Sequence, residues 1–163
     1  MPYWRLDLRR RTTAIAASAS LAAVLCCGRT ASADFGETLR WMSVGGNIGT
    51  SSESETHALF GAEASVGVAQ FVFWGGAYAD ALYDAGTRRV RFTVGPELGI
   101  LFLGVDGGIL FDVGEGEVRT GLVVRPMLAF KFVFPYARFG RRGGSDPSTF
   151  SEAGVLVKYP FFD

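Results

Sequence analysis

The sequence predicts an all-β protein, one eight-stranded antiparallel up-and-down barrel behind an N-terminal leader. Three observations predict it. The first 33 residues have the layout of an export signal. Four polar, turn-forming clusters then divide the chain at regular intervals. Between them, side chains alternate between a charge-free set and a set holding charges and glycines, which is the period of a strand.

The leader is read first because it leaves the fold. Arg5, Arg9, Arg10 and Arg11 stand against one acid, Asp7. An uncharged, largely apolar run covers 12–27, and Ala31-Ser32-Ala33 supplies a small-x-small site. A basic stretch, a short apolar stretch and such a site make a signal peptide over 1–33. The apolar run falls short of the ~20 residues of a spanning helix, which disfavours an uncleaved anchor. Cys26 and Cys27 raise a lipoprotein reading. The residue before the lipidated cysteine would then be Leu25 or Cys26, where a small one is usual. Cleavage after Ala33 leaves a mature chain without cysteine, hence without disulfide or thiolate chemistry.

Residues 34–163 suit a single domain. Five of the 16 basic residues and one of the 16 acids lie in the leader, which leaves eleven against fifteen. That net charge of about −4 argues against a nucleic-acid binder. Richness in Gly, Val and Phe favours strands joined by turns.

The turn clusters fall at 49–56, 84–87, 114–117 and 140–148. Each intervening stretch is long enough for two strands with a tight turn between them. Those turns are expected near Ala69-Gln70, Phe102-Leu103-Gly104 and Val133-Phe134-Pro135. The strands are then expected over 38–48, 57–68, 71–83, 88–101, 105–113, 118–132, 135–140 and 151–161. Polar loops alternate with tight turns along the chain. In an up-and-down barrel all four loops therefore share one end and all three turns the other, as in transmembrane barrels.

Alternation is clearest in the fourth strand. Val90, Phe92, Val94, Pro96, Leu98 and Ile100 oppose Arg89, Arg91, Thr93, Gly95, Glu97 and Gly99. The second, fifth, sixth and eighth strands divide in the same way. The third is less clean, and the first is ambiguous. A soluble barrel would turn the charge-free face inward, whereas a membrane barrel turns it to lipid. Three features favour the membrane version. The charged faces are sparse and rich in small residues. Their charges nearly balance: Glu63, Asp80, Glu97, Asp106, Asp112 and Glu152 against Arg91, Arg119, Arg125, Lys131, Arg138 and Lys158. Aromatics gather near the expected strand ends, at Phe71, Phe73, Tyr83, Phe102, Phe132, Tyr159 and Phe161. The expectation is an eight-stranded transmembrane barrel whose lumen holds those twelve charges as a paired network.

With this architecture, the chain resembles the small bacterial outer-membrane β-barrel proteins, the OmpA/OmpX-like class in the broad sense. The resemblance rests on the leader, the eight alternating strands and the last strand, 152–163. Members of that class typically end on an alternating strand with a C-terminal aromatic. Tyr159, Phe161 and Phe162 supply aromatics here, while Pro160 interrupts the strand and Asp163 ends it. The resemblance implies an outer-membrane location and outer-membrane lipid as the partner.

No catalytic constellation, cofactor site or metal site is expected. His57 is the only histidine. With Ser51, Ser52 or Ser54 and Glu53 or Glu55 it copies the composition of a lipid-modifying triad. Adjacent loop residues rarely hold such a triad rigidly. Asp106, Asp112 and Glu97 read as lumen pairs rather than as a calcium or acid/base set. Arg141 and Arg142 in the last loop could meet anionic lipopolysaccharide, although a solvated loop charge is the plainer reading. The expected role is a monomeric, non-catalytic envelope barrel with a closed lumen. The alternatives are a secreted soluble barrel that binds a small apolar ligand and, less favoured, a lipid-modifying barrel enzyme.

Overall fold

The computed structural model describes residues 38–163, apart from Ser54, Glu115, Ser145, Asp146 and Asp163. The leader with Cys26 and Cys27 lies outside the described residues, as does the terminal Asp163. Eight strands follow in order: β1 (Leu39–Ser52), β2 (Thr56–Gln70), β3 (Phe73–Asp84), β4 (Arg89–Ile100), β5 (Leu103–Gly114), β6 (Glu117–Leu128), β7 (Val133–Arg142) and β8 (Ser148–Phe162). Each pairs antiparallel with the next, and β8 closes on β1. No helix occurs among the described residues.

The register sets the size of the barrel. Cross-strand partners run from Leu39 through Ala69, Trp74, Gly99, Gly104, Met127, Tyr136 and Gly154. The circuit re-enters β1 at Gly49, ten residues beyond its start at Leu39. A stagger of this kind makes strands tilt by roughly 35–45° and leaves an interior that side chains just fill.

The strands outrun the sequence reading at the loop end. Polar Gly49, Thr50, Ser51 and Ser52 belong to β1, and Ser51 pairs with His57 on β2. The connections shrink to 53–55, 85–88, 115–116 and 143–147. Polar composition marks where the apolar belt stops, but the backbone ladder continues past that point. At the other end the turns are 71–72, 101–102 and 129–132. They carry bulky residues rather than glycine. Phe71, Leu101 and Lys131 hold φ of 55°, 53° and 58°, the left-handed region that sequence rules reserve for Gly or Asn. Neighbouring turns are tied by backbone bonds, Leu101 to Val72 and Ala129 to Phe102. β7 begins at Val133, so Val133, Phe134 and Pro135 lie in a strand and not in a turn.

The ladder skips Pro96 between β4 and β5 and Pro126 between β6 and β7, since proline has no N–H to donate. The alternation holds throughout. Odd residues of β1, β2, β4 and β6 and even residues of β3, β5, β7 and β8 point inward. This assigns the two strands that sequence left unclear: Ser43 and Asn47 of β1, and Tyr78, Asp80, Leu82 and Asp84 of β3, are buried in the lumen.

Candidate functional site: a charged lumen

The inward faces build a stack of ion pairs. Nearest the loop end, Arg91 donates to Asp84 at 2.6 Å, to Ser51 at 3.0 Å and to Glu152. The other Asp84 oxygen accepts the backbone N–H groups of Gly86 and Thr87 at 3.0 and 3.1 Å, so this carboxylate also fixes the 85–88 hairpin. Asp112 faces Arg89 and Arg142, each at 2.5 Å. Arg142 reaches on to Glu53 at 2.6 Å. The Phe150 ring lies beneath both guanidinium groups, 4.9 Å from Arg91 and 4.5 Å from Arg142.

Farther in, Arg125 meets Asp106 at 2.5 Å, Glu63 at 2.6 Å and Asp80 at 3.6 Å. Its guanidinium sits over the rings of Tyr78 and Tyr136, at 5.0 and 5.4 Å. Arg138 bonds Asp80 and approaches Glu152 at 3.6 Å, which joins this layer to the one above. Toward the turn end, Lys158 meets Glu63 at 2.5 Å, Glu97 at 3.0 Å and Ser65 at 3.0 Å, and Ser65 bonds Ser43 at 2.8 Å. Charges taken this far from water must be paired, because an isolated one is very costly there.

Two further features shape the lumen. On β3, Leu82 stands between Asp80 and Asp84, and on β5, Leu110 stands between Asp106 and Asp112. Leu110 packs with Val123 and Phe150 in a buried apolar collar, and Leu59 and Leu82 are buried as well. At the turn end lies a vestibule of about 320 Å³ lined by Trp41, Trp74, Phe134, Ser43, Lys131 and Lys158. A Cβ on Gly99 or Gly104 would run into the Trp74 ring, so these glycines let the indole lie flat against the wall. Trp74 Nε1 donates to Leu101 O at 3.3 Å.

Ten of the twelve charges read from sequence are buried inside: Glu63, Asp80, Arg91, Glu97, Asp106, Asp112, Arg125, Arg138, Glu152 and Lys158. Two sit elsewhere. Arg119 is half-exposed at the loop-end rim and bonds Glu117 at 2.9 Å. That hydrogen bond holds the exposed Glu117 carboxyl below the usual carboxylate range. Lys131 occupies the 129–132 turn, exposed, with its ammonium 5.0 Å from the Phe132 ring. Sequence reasoning missed Asp84 and Arg142, which it left in polar loops, and put Arg89 on the charged face of the fourth strand without nominating it as a lumen charge. Inward parity continued one step past each cluster would have found them. Arg142 thus pairs inside the barrel instead of facing a lipid headgroup, and only Arg141 points outward.

The Ser51 and Glu53 version of the Ser/His/acid set does not assemble, and Ser54 lies outside the described residues. Ser51 is buried and accepts from Arg91. The His57 ring lies on Gly86, and no hydrogen bond joins it to Ser51 among the described residues. Glu53 is engaged by Arg142. Of the acid set, Glu97 and Asp106 are brought together as cross-strand partners, while Asp112 lies beyond the collar. No group of three or more His, Cys, Asp or Glu among the described residues is arranged to hold a metal.

Comparison with protein-family models, curated proteins and solved structures finds no match for this chain. Its chemistry is therefore read from its own residues.

Proposed function

We propose that this chain is an exported, non-catalytic barrel of the bacterial outer membrane with a structural role in the envelope. The observation that carries the reading is its outer surface. Among the described residues twenty-eight large apolar side chains are exposed there, whereas a water-soluble monomer rarely exposes a contiguous apolar patch beyond a few hundred Å². Aromatics gather toward both ends, among exposed aliphatics that run the full height. Toward the loop end, Phe60 pairs with Tyr83 and Phe92 with Phe111, and Phe139 joins them. Toward the turn end stand Phe71, Phe73, Phe102, Phe130, Tyr159 and Phe161. Aliphatic Val44, Val66, Val94, Val105 and Val124 lie between the two rings. Two aromatic girdles around an aliphatic band fit two interfaces around hydrocarbon.

A soluble barrel for an apolar ligand needs the opposite arrangement, with the charge-free faces inside. The lipid-modifying reading needs a free Ser/His pair, and Ser51 is bonded to Arg91. Contact with lipopolysaccharide falls to Arg141. The test is fractionation of cells that express the full precursor, with gel mobility read before and after boiling. Recovery in outer membranes and a folded band that shifts on heating are expected. Recovery among soluble periplasmic proteins would overturn the proposal.

A further inference from the structure

The lumen charges do not cancel. Between the collar and the vestibule, four acids (Glu63, Asp80, Glu97 and Asp106) face three bases (Arg125, Arg138 and Lys158). The excess can be located. Asp80 meets two guanidinium groups, and Glu63 meets both Arg125 and Lys158. Glu97 has one cation, Lys158, which it shares with Glu63. Asp106 also has one, Arg125, shared with Glu63 and Asp80. These two under-compensated carboxyls are direct cross-strand partners on β4 and β5. Glu97 is fully buried and Asp106 is 2% exposed. Each keeps one oxygen, Glu97 Oε1 and Asp106 Oδ1, with no hydrogen-bond partner among the described residues. The Tyr78 hydroxyl, whose ring lies 5.0 Å from the Arg125 guanidinium, is buried and unpartnered too.

Like charges directly opposite each other across a strand pair repel. In a dry interior a carboxyl that lacks a cation of its own becomes neutral by taking up a proton. We propose that Glu97 and Asp106 form a proton-binding pair at the inner end of the vestibule, holding one proton between them at about neutral pH. Around the pair, β8 offers Lys158, β6 Arg125 and β7 Arg138 with Tyr136; β2 adds Glu63, β3 adds Asp80 and Tyr78, and β1 offers only neutral Ser43 and Asn47. The proton exchanges with the turn-end side. Glu97 is bonded to Lys158, which lines the vestibule. None of this depends on which solvent surrounds the barrel.

The test is infrared spectroscopy of the folded, processed protein, in detergent or in buffer, at about pH 7. A protonated carboxyl has a carbonyl stretch that carboxylates lack, and it moves in D2O. That band is expected in the wild type and in Glu117→Gln at the exposed rim, and lost in Glu97→Gln and in Asp106→Asn. The same proton makes the folded state bind more protons than the unfolded one. Wild-type unfolding should therefore grow easier as pH rises above the ordinary carboxylate range, by up to about tenfold per pH unit. Glu97→Gln should abolish that slope. No acid band in the folded wild type overturns the proposal, even if neither variant folds. So does a band that survives in both variants, or stability that follows added sodium or potassium instead of pH. Where the protein fractionates has no bearing on this spectrum, so failure here and failure of the membrane reading are distinguishable.

Discussion

Arg125 gathers three carboxylates and two aromatic rings around one guanidinium. Truncating it leaves Glu63, Asp80 and Asp106 buried with too little positive charge. Arg125→Leu is expected to lower stability by about 3–5 kcal/mol, measured as a shift in the urea unfolding curve. Arg119→Ala, at the exposed rim, should leave that curve almost unmoved. Glycines divide in the same way. Gly46 meets nothing within 4 Å, so Gly46→Ala should change stability by under about 0.5 kcal/mol. Gly99→Ala drives a methyl into Trp74. Residues 34–163 hold only Trp41 and Trp74, both at the vestibule, so a red shift of the fluorescence of this segment should report the displaced indole. An unchanged spectrum would contradict the proposed cradle.

At the scale of strands and turns, period-two alternation left little freedom. Once Glu97 points in, Val94 must point out, and it is half-exposed on the outer band. Val94→Arg is expected to oppose insertion by roughly 2–4 kcal/mol near the bilayer midplane, read as loss of the heat-shifted band in lipid refolding. A variant that inserts normally would count against the membrane reading. The turns carry a different signal. Arg88 is exposed and holds φ 54°, a conformation that costs a non-glycine residue about 1 kcal/mol. Arg88→Gly should therefore raise stability by about that amount. Turn positions were the least legible part of the sequence. Phe71 and Leu101 look like strand residues because their aromatic and aliphatic side chains suit the outer girdle. Their backbone state is set by the hairpin that they close.

For the whole molecule, the stagger of ten fixes which charges meet. Arg138 and Asp80 are 58 positions apart in the chain, and Arg91 and Glu152 are 61 apart. Such pairs are far from water, where salt screens weakly. Raising ionic strength from about 0.05 to 1 M should leave the unfolding midpoint of the closed barrel nearly unchanged, while any binding through exposed Arg141 weakens. A steep loss of stability with salt would mean that the lumen pairs are solvated.

The sequence by itself determined the strand count, the parity of most faces and ten of the twelve lumen charges that it nominated. These follow from local rules, since alternation assigns each side chain to a face and polar clusters mark the hairpin ends. It also placed Glu97 and Asp106 inside without indicating that they face each other. Tertiary structure decided that, together with the outward turn of the apolar faces, the inward turn of Arg142, the exclusion of Lys131 and the packing of Leu110 with Val123 and Phe150. Those outcomes depend on closure. Which residues share a height inside the barrel is set by the register accumulated over eight strand pairs, and no single strand contains that sum.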